Sequence, residues 1–277
     1  MSQDSRQKQI FKRGSKTYYT SSLFFPPEKR KQVSVLYAFV RVADDFVDST
    51  PQDERGFYTF GEAYRTSWHT GVSSGNLVID DFITLQRNRG FNPDWTEAFL
   101  RSMELDLNKR IYQSLDESLE YIYGSAEVIG LFMNRILGVP PEADGYARML
   151  GRSMQYINFI RDIDEDVALG RRYLPELPES MQSLEKQEAA AQPDRFRGYI
   201  IDQIERYRSW QAEAVKGYAY LPRRYRIPIE TAADMYDWTA SKIEQDPFIV
   251  YRKKVKPAKM RIILHVAGLS MHSLFTP

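Results

Sequence analysis

From Pro26 onward the chain reads as one helix after another. Proline and glycine gather at joints instead of being scattered, and the alternating β-branched runs that mark strands are nearly absent. This punctuation predicts an all-α bundle. With 277 residues and no linker-like stretch or internal repeat, it is read as one domain over residues 1–277. The first long helix follows Pro26-Pro27, because proline suits a first helical turn, and ends at Thr50-Pro51. Further helices are expected over 54–69, 79–88, 95–111, 114–137 and 142–169, the last capped by Gly170. Residues 175–196 read as a loop with a short helix inside it, which could serve as a lid or as plain surface. Helices then resume over 196–221, 229–245 and 257–273.

Composition excludes several chemistries. The chain has no cysteine, so thiolate metal sites and cysteine nucleophiles are out. Its three histidines, His69, His265 and His272, lie in no ligand spacing, which argues against a zinc enzyme or a Ser-His-Asp hydrolase. Thirty-eight basic residues against 37 acidic ones leave a net charge of +1, so nothing points to nucleic acid and any charge argument must be local. The polar, basic N-terminus has no apolar core of a secretory signal. No apolar run reaches the ~20 residues that span a bilayer. The expectation is a soluble, cytoplasmic protein, with peripheral contact to a membrane left open.

Two acidic constellations carry the functional reading. In the first helix, Arg41-Val-Ala-Asp-Asp-Phe-Val-Asp48 places Asp44 and Asp48 one turn apart on one face, with Asp45 beside them and Arg41 at the rim. Apolar residues from Tyr37 to Val47 surround them, which is the pattern of a buried helix. Buried carboxylates need counter-charge, and hard oxygen donors without His or Cys point to Mg²⁺ or Mn²⁺. The second constellation runs from Gln155 to Pro175. Asn158, Asp162 and Asp166 fall at i, i+4 and i+8, a ladder about 12 Å long. Glu165 lies beside it, and Arg161, Arg171 and Arg172 add charge suited to phosphate oxygens. Two acid ladders with arginines between them describe a clamp for metal and diphosphate, serving the ionisation of an allylic diphosphate in an apolar, aromatic cavity.

These residues resemble the squalene/phytoene synthase family over nearly the whole chain. Tyr37-Ala38, Arg41, Asp44 and Asp48 match the family's first Asp-rich helix. Gln155, Asn158, Arg161, Asp162, Asp166, Gly170, Arg171 and Tyr173-Leu174-Pro175 match its long second motif. Shorter matches are Gly14 to Tyr18, Met103 to Asp106 with Arg110, and Tyr123 to Gly130. In the last, Glu127 stands where the family tends to have glycine, so an altered cavity shape or polarity is expected there.

The resemblance implies an isoprenoid synthase helical bundle with a central active-site cavity, and head-to-head (1-1′) coupling of two prenyl diphosphates through a cyclopropylcarbinyl diphosphate. It implies that Asp44, Asp48, Asn158, Asp162 and Asp166 hold Mg²⁺, with Arg161 as a further catalytic residue. Ser15, Lys16, Tyr18, Arg41, Arg171 and Tyr236 would contact diphosphate. Two geranylgeranyl diphosphates giving phytoene is the favoured reading. Two farnesyl diphosphates giving dehydrosqualene, or squalene with NADPH, is the alternative. Asp44-Asp45-x-x-Asp48 alone also fits head-to-tail elongases and terpene cyclases, and a non-catalytic relative stays open as well. The basic run Arg252 to Lys259 is either a solvated loop or a contact with diphosphate or anionic lipid.

Overall fold

Local chemistry explains where the helices begin and end in the computed structural model, which describes residues 22, 23 and 25–257. Helix α1, Pro27–Asp48, starts on a proline at its first position. Helix α2, Glu54–Thr70, is capped by Asp53, whose carboxylate accepts from the Gly56 N–H at 2.9 Å. Helix α3 is Leu77–Arg89, and α4, Pro93–Asn108, again opens on proline behind an asparagine cap. Ser114 caps α5, Leu115–Ile122, and Glu117 reaches back to the Gln113 N–H at 2.8 Å.

The single helix expected over 114–137 is interrupted. A five-residue π turn, Tyr123–Glu127, separates α5 from α6, Val128–Leu137. The helix expected over 142–169 is broken as well. A 3₁₀ turn, Pro141–Ala143, leads into α7, Asp144–Arg161; the chain departs from helix at Asp162 and resumes in α8, Ile163–Ala168. The 175–196 stretch contains one short helix, α9, Lys186–Ala191, followed directly by α10, Pro193–Val215. Helix α11, Arg223–Gln245, begins six residues before the expected 229, with Pro228 inside it. A proline this near the start leaves few helical bonds to lose, and the Tyr225 and Arg226 N–H groups both donate to Pro222 O, at 2.7 and 3.1 Å. The helix expected over 257–273 lies outside the described residues.

Helix α7 is the central element, packed against α10, α6, the π turn, α11 and α5, while α1 packs on α2, α3, α4 and α6. One connected apolar core runs from Phe25 to Val255. Among the described residues the extended structure is one isolated parallel bridge, Ile111 to Arg172. That bridge fixes the segment after α8 against the loop after α4.

Candidate active site

The first acidic stripe flanks the buried face of α1. Ala43 and Val47 are fully buried, so helical period sets Asp44 and Asp48 immediately beside the core. Arg41 donates to Asp44 Oδ2 at 2.8 Å and pairs with Asp45 Oδ1 at 2.5 Å. The picture of three buried carboxylates needs correction, since Asp45 and Asp48 are exposed and only Asp44 is half-buried. Asp44 still feels its surroundings. Burial and the nearby Asp48 raise its carboxyl to about 7, against the opposing pull of Arg41.

The second ladder survives the break in its helix. Asp162 N–H donates to Asn158 O at 2.8 Å and Asp166 N–H to Asp162 O at 2.9 Å, so the three side chains keep their one-turn spacing. Arg161 holds Asp162 through Nε at 2.8 Å and a second contact from Nη2. Burial, reinforced by Asp162, raises the Asp166 carboxyl to about 8. The Asn158 Oδ1 atom is buried with no hydrogen-bond donor, an acceptor left open at the head of the ladder. Within the basic run, Lys254 departs from the solvated-loop reading. Lys254 folds inward, 3.3 Å from Asp162 Oδ1 and in contact with Glu165. The stripe keeps negative charge beyond what Arg161 neutralises and so attracts a flexible cation, which sequence spacing across ninety residues could not reveal.

A third group ties the two ladders together. Gly170 takes a left-handed turn at φ 68°. The chain is then pinned to the α4–α5 loop by Arg172 N–H to Arg110 O at 2.8 Å and Tyr112 N–H to Arg172 O at 3.0 Å. Arg171, 6% exposed, thereby reaches across to α1, donating to Asp48 Oδ1 at 3.1 Å and to Val47 O at 3.0 Å. It also donates to Asp106 O at 3.3 Å. Burial opposes the guanidinium charge, but Tyr173, Asp106 and Asp48 outweigh it and hold Arg171 still more firmly protonated.

Asp106 was not among the expected site residues. Its buried carboxylate accepts from Tyr121 Oη at 2.7 Å and Tyr173 Oη at 2.5 Å. Burial raises it to about 6 in spite of these two hydrogen bonds. The available signal was the match of Met103 to Asp106 with Arg110, which marked the segment without giving Asp106 a role.

An apolar cavity of about 350 Å³ opens beside the ladders. Its polar lip is formed by Tyr37, Gln155 and Asn158, and its body by the α6–α7 hairpin, α1 and the start of α11. The expectation for Glu127 is overturned. The neighbouring Ser125 and Ala126 line the cavity, whereas Glu127 points away, bound by Arg148 Nε at 2.8 Å and Arg152 Nε at 2.6 Å. Its carboxylate therefore finds counter-charge on α7 and leaves the cavity surface apolar. Tyr236 is buried on α11, within electrostatic range of Tyr207. Ser15, Lys16 and Tyr18 lie outside the described residues.

A sequence model of the squalene/phytoene synthase family matches residues 11–261. The chain belongs to the squalene/phytoene synthase family. Among its relatives, the chloroplastic phytoene synthase of an Oncidium hybrid cultivar is 28% identical over 287 residues, covering 97% of this chain and 68% of that protein. The 15-cis-phytoene synthase of Pantoea ananas is 28% identical, with 94% and 89% covered. In structure, a dehydrosqualene synthase solved with a ligand superposes with TM-score 0.85 at 18% identity, over 99% of this chain and 97% of that one. The squalene synthase HpnC of Alicyclobacillus acidocaldarius gives TM-score 0.79 at 19% identity, over 89% and 94%. These likenesses establish the helical fold.

Whether this family member's residues suit a divalent metal can be tested on its own geometry. Among the described residues no three acidic or histidine side chains converge tightly enough to cage an ion. Mg²⁺ does not require a cage, since it commonly binds through one or two carboxylates together with substrate phosphates and water. The donors here are hard oxygens divided between two helices. Two of the carboxyls are destabilised in their charged form, and the Asn158 oxygen lacks a donor. The residues therefore fit an ion that is shared with a diphosphate.

Proposed function

We propose that this chain condenses two prenyl diphosphates head to head, most readily two geranylgeranyl diphosphates to phytoene. The observation that carries this reading is Arg171. It lies beyond the second ladder, yet its guanidinium ends on Asp48 of the first, drawing both acid stripes to one end of an apolar cavity.

In this reading Arg41, Arg161 and Arg171 bind the diphosphates, with Ser15, Lys16, Tyr18 and Tyr236 as further contacts. Asp44, Asp48, Asn158, Asp162 and Asp166 would hold Mg²⁺, or Mn²⁺, which supplies positive charge to the leaving diphosphate when bound. The arginines neutralise the remainder of that charge. The cavity keeps water from the allylic cation, so the double bond of the second substrate captures it. Loss of a proton then closes the cyclopropylcarbinyl diphosphate. The same clamp receives the second diphosphate as this intermediate ionises and rearranges to the 1-1′ product, and a final proton loss gives phytoene. With two farnesyl diphosphates instead, hydride from NADPH at that point would give squalene.

The phytoene synthase relatives favour the C20 substrate, whereas the structural neighbours named as squalene and dehydrosqualene synthases keep the C15 reading as the alternative. No described helix is long and apolar enough to cross a membrane. Because the product is a hydrocarbon, peripheral contact with a membrane surface belongs to the proposal, as do a cytoplasmic location and one catalytic unit over residues 1–277. The test is product analysis by mass, offering geranylgeranyl and farnesyl diphosphate separately with Mg²⁺, with and without NADPH. Phytoene from the C20 substrate without NADPH is expected. A head-to-tail product, or no release of diphosphate from either substrate, overturns the assignment.

A further inference from the structure

Lys254 stands at the second ladder on a segment that is fixed on both sides of it. Before it, the 3₁₀ turn Pro247–Tyr251 packs on α8, α10 and α11. The buried Tyr251 donates through Oη to Leu184 O at 2.7 Å, and its ring centroid lies 5.4 Å from that of Phe196. After it, Val255 is buried in the core. The backbone around the lysine is therefore anchored, while its side chain stays 33% exposed. Only the stem needs to swing for the ammonium to change partners.

The partners it holds are ones that a divalent ion at this ladder needs. Its ammonium lies 3.3 Å from Asp162 Oδ1 and also contacts the Glu165 carboxylate. Arg161 grips Asp162 as well, with Nε donating to Oδ1 at 2.8 Å and Nη2 contacting Oδ2. Asp162 Oδ1 is thus shared by two cations. A carboxylate oxygen coordinates Mg²⁺ at about 2.0–2.1 Å, so an ammonium on the same oxygen would face the ion at close range, where like charges repel. Arg161 neighbours Asp162 in sequence and meets it with a rigid, planar fork. Lys254 comes from another element and carries a compact charge on a flexible stem. Of the two, Lys254 is the one built to leave.

Resting on the prenyl diphosphate reading above, we infer that Lys254 is an exchangeable cation. It competes with the divalent ion for Asp162 and Glu165 and, when displaced, pairs with the diphosphate that shares the ion. A diphosphate carries more negative charge than one divalent ion supplies, so its arrival leaves an anion for the displaced ammonium. The exchange keeps the acidic ladder balanced before and after loading. It also means that one substitution moves two affinities in opposite directions, which a purely structural ion pair would not do.

Isothermal titration calorimetry on the full chain measures both affinities, for Mg²⁺ alone and for inorganic diphosphate in excess Mg²⁺. Lys254→Gln should bind Mg²⁺ about threefold more tightly than the parent, the scale of one partly exposed ion pair. The same variant should bind diphosphate about tenfold more weakly, the scale of one lost charge-assisted hydrogen bond. Lys253→Gln removes the adjacent exposed charge of the same run and should move neither affinity. Unchanged affinities in Lys254→Gln, or shifts of both in one direction, overturn the exchange while leaving the prenyl diphosphate reading intact. Equal opposed shifts in Lys253→Gln overturn it too, since they would mark the general field of the basic run and not one lysine. Failure of the parent to bind diphosphate in Mg²⁺ overturns both.

Discussion

Asp44 and Asp166 keep their protons to about pH 7 and 8, well above the ~3.9 of a free aspartate, chiefly because they are shielded from water beside other acids. The consequence for stability has a definite sign. Folded pKa values above the unfolded ones mean that the contribution is fully present below about pH 4 and is lost as pH rises through 7 to 8. The metal-free protein should therefore melt at progressively lower temperature between pH 5 and pH 8.5. A divalent ion bound between these groups offsets the repulsion only when they are ionised. Mg²⁺ should consequently raise the melting temperature more at pH 8 than at pH 6, which differential scanning fluorimetry can read. An equal shift at both pH values would count against metal binding by these carboxyls.

At the same scale, Arg171→Lys loses the fork that reaches Asp48 and two backbone carbonyls at once. Steady-state kinetics should show kcat/KM falling by about 10²–10³, the usual cost of one lost electrostatic stabiliser. The residues of both ladders were legible in the sequence because one-turn spacing on a helix is a local property. Asp106 and Lys254 were marked only as members of a short match and a basic run, and their partners were not legible, since these depend on segments brought together only by the fold.

Among the elements, the largest departures from the sequence reading are the π turn at 123–127 and the break at Asp162. Neither carries a compositional mark, and the π turn is a single turn set inside an otherwise α-helical stretch. Its reason appears in the packing. Gly151 on α7 meets the turn so closely that a Cβ there would lie 2.3 Å from Ala126 O. Gly151→Ala should destabilise the protein by about 1–3 kcal/mol, measurable by denaturant titration. The turn also aims Glu127 at Arg148 and Arg152 instead of at substrate. Glu127→Ala should thus lower the melting temperature yet leave the length of the hydrocarbon product unchanged when analysed by mass. A shifted product length would return Glu127 to the cavity wall. Helix existence was readable throughout the described residues from period and punctuation. Boundaries were less so, and Pro228 shows why: a proline that ordinarily marks a helix start here lies in the second turn of α11.

Taken as a whole, the molecule divides one task between two distant stretches of chain. Helix α1 presents Asp44 and Asp48, α7, α8 and the break between them present Asn158, Asp166 and Asp162, and the α6–α7 hairpin supplies the apolar depth below them. Each half is held by basic side chains: Arg41 on the first, Arg161 and Lys254 on the second, and Arg171 between the two. The all-α class and the two-ladder idea could be read before the fold was known, but the distance between the ladders could not. That distance is set by the α4–α5 loop and the Gly170 turn, which the bridge between Ile111 and Arg172 locks together.

The account depends on both ladders acting on the same diphosphate. The most direct test is turnover of labelled geranylgeranyl diphosphate with Mg²⁺ by Asp48→Ala and Asp162→Ala, with circular dichroism confirming that each variant is folded. Both should lose diphosphate release by at least about 10²–10³ relative to the parent. Near-parental release by both folded variants would contradict the two-ladder mechanism.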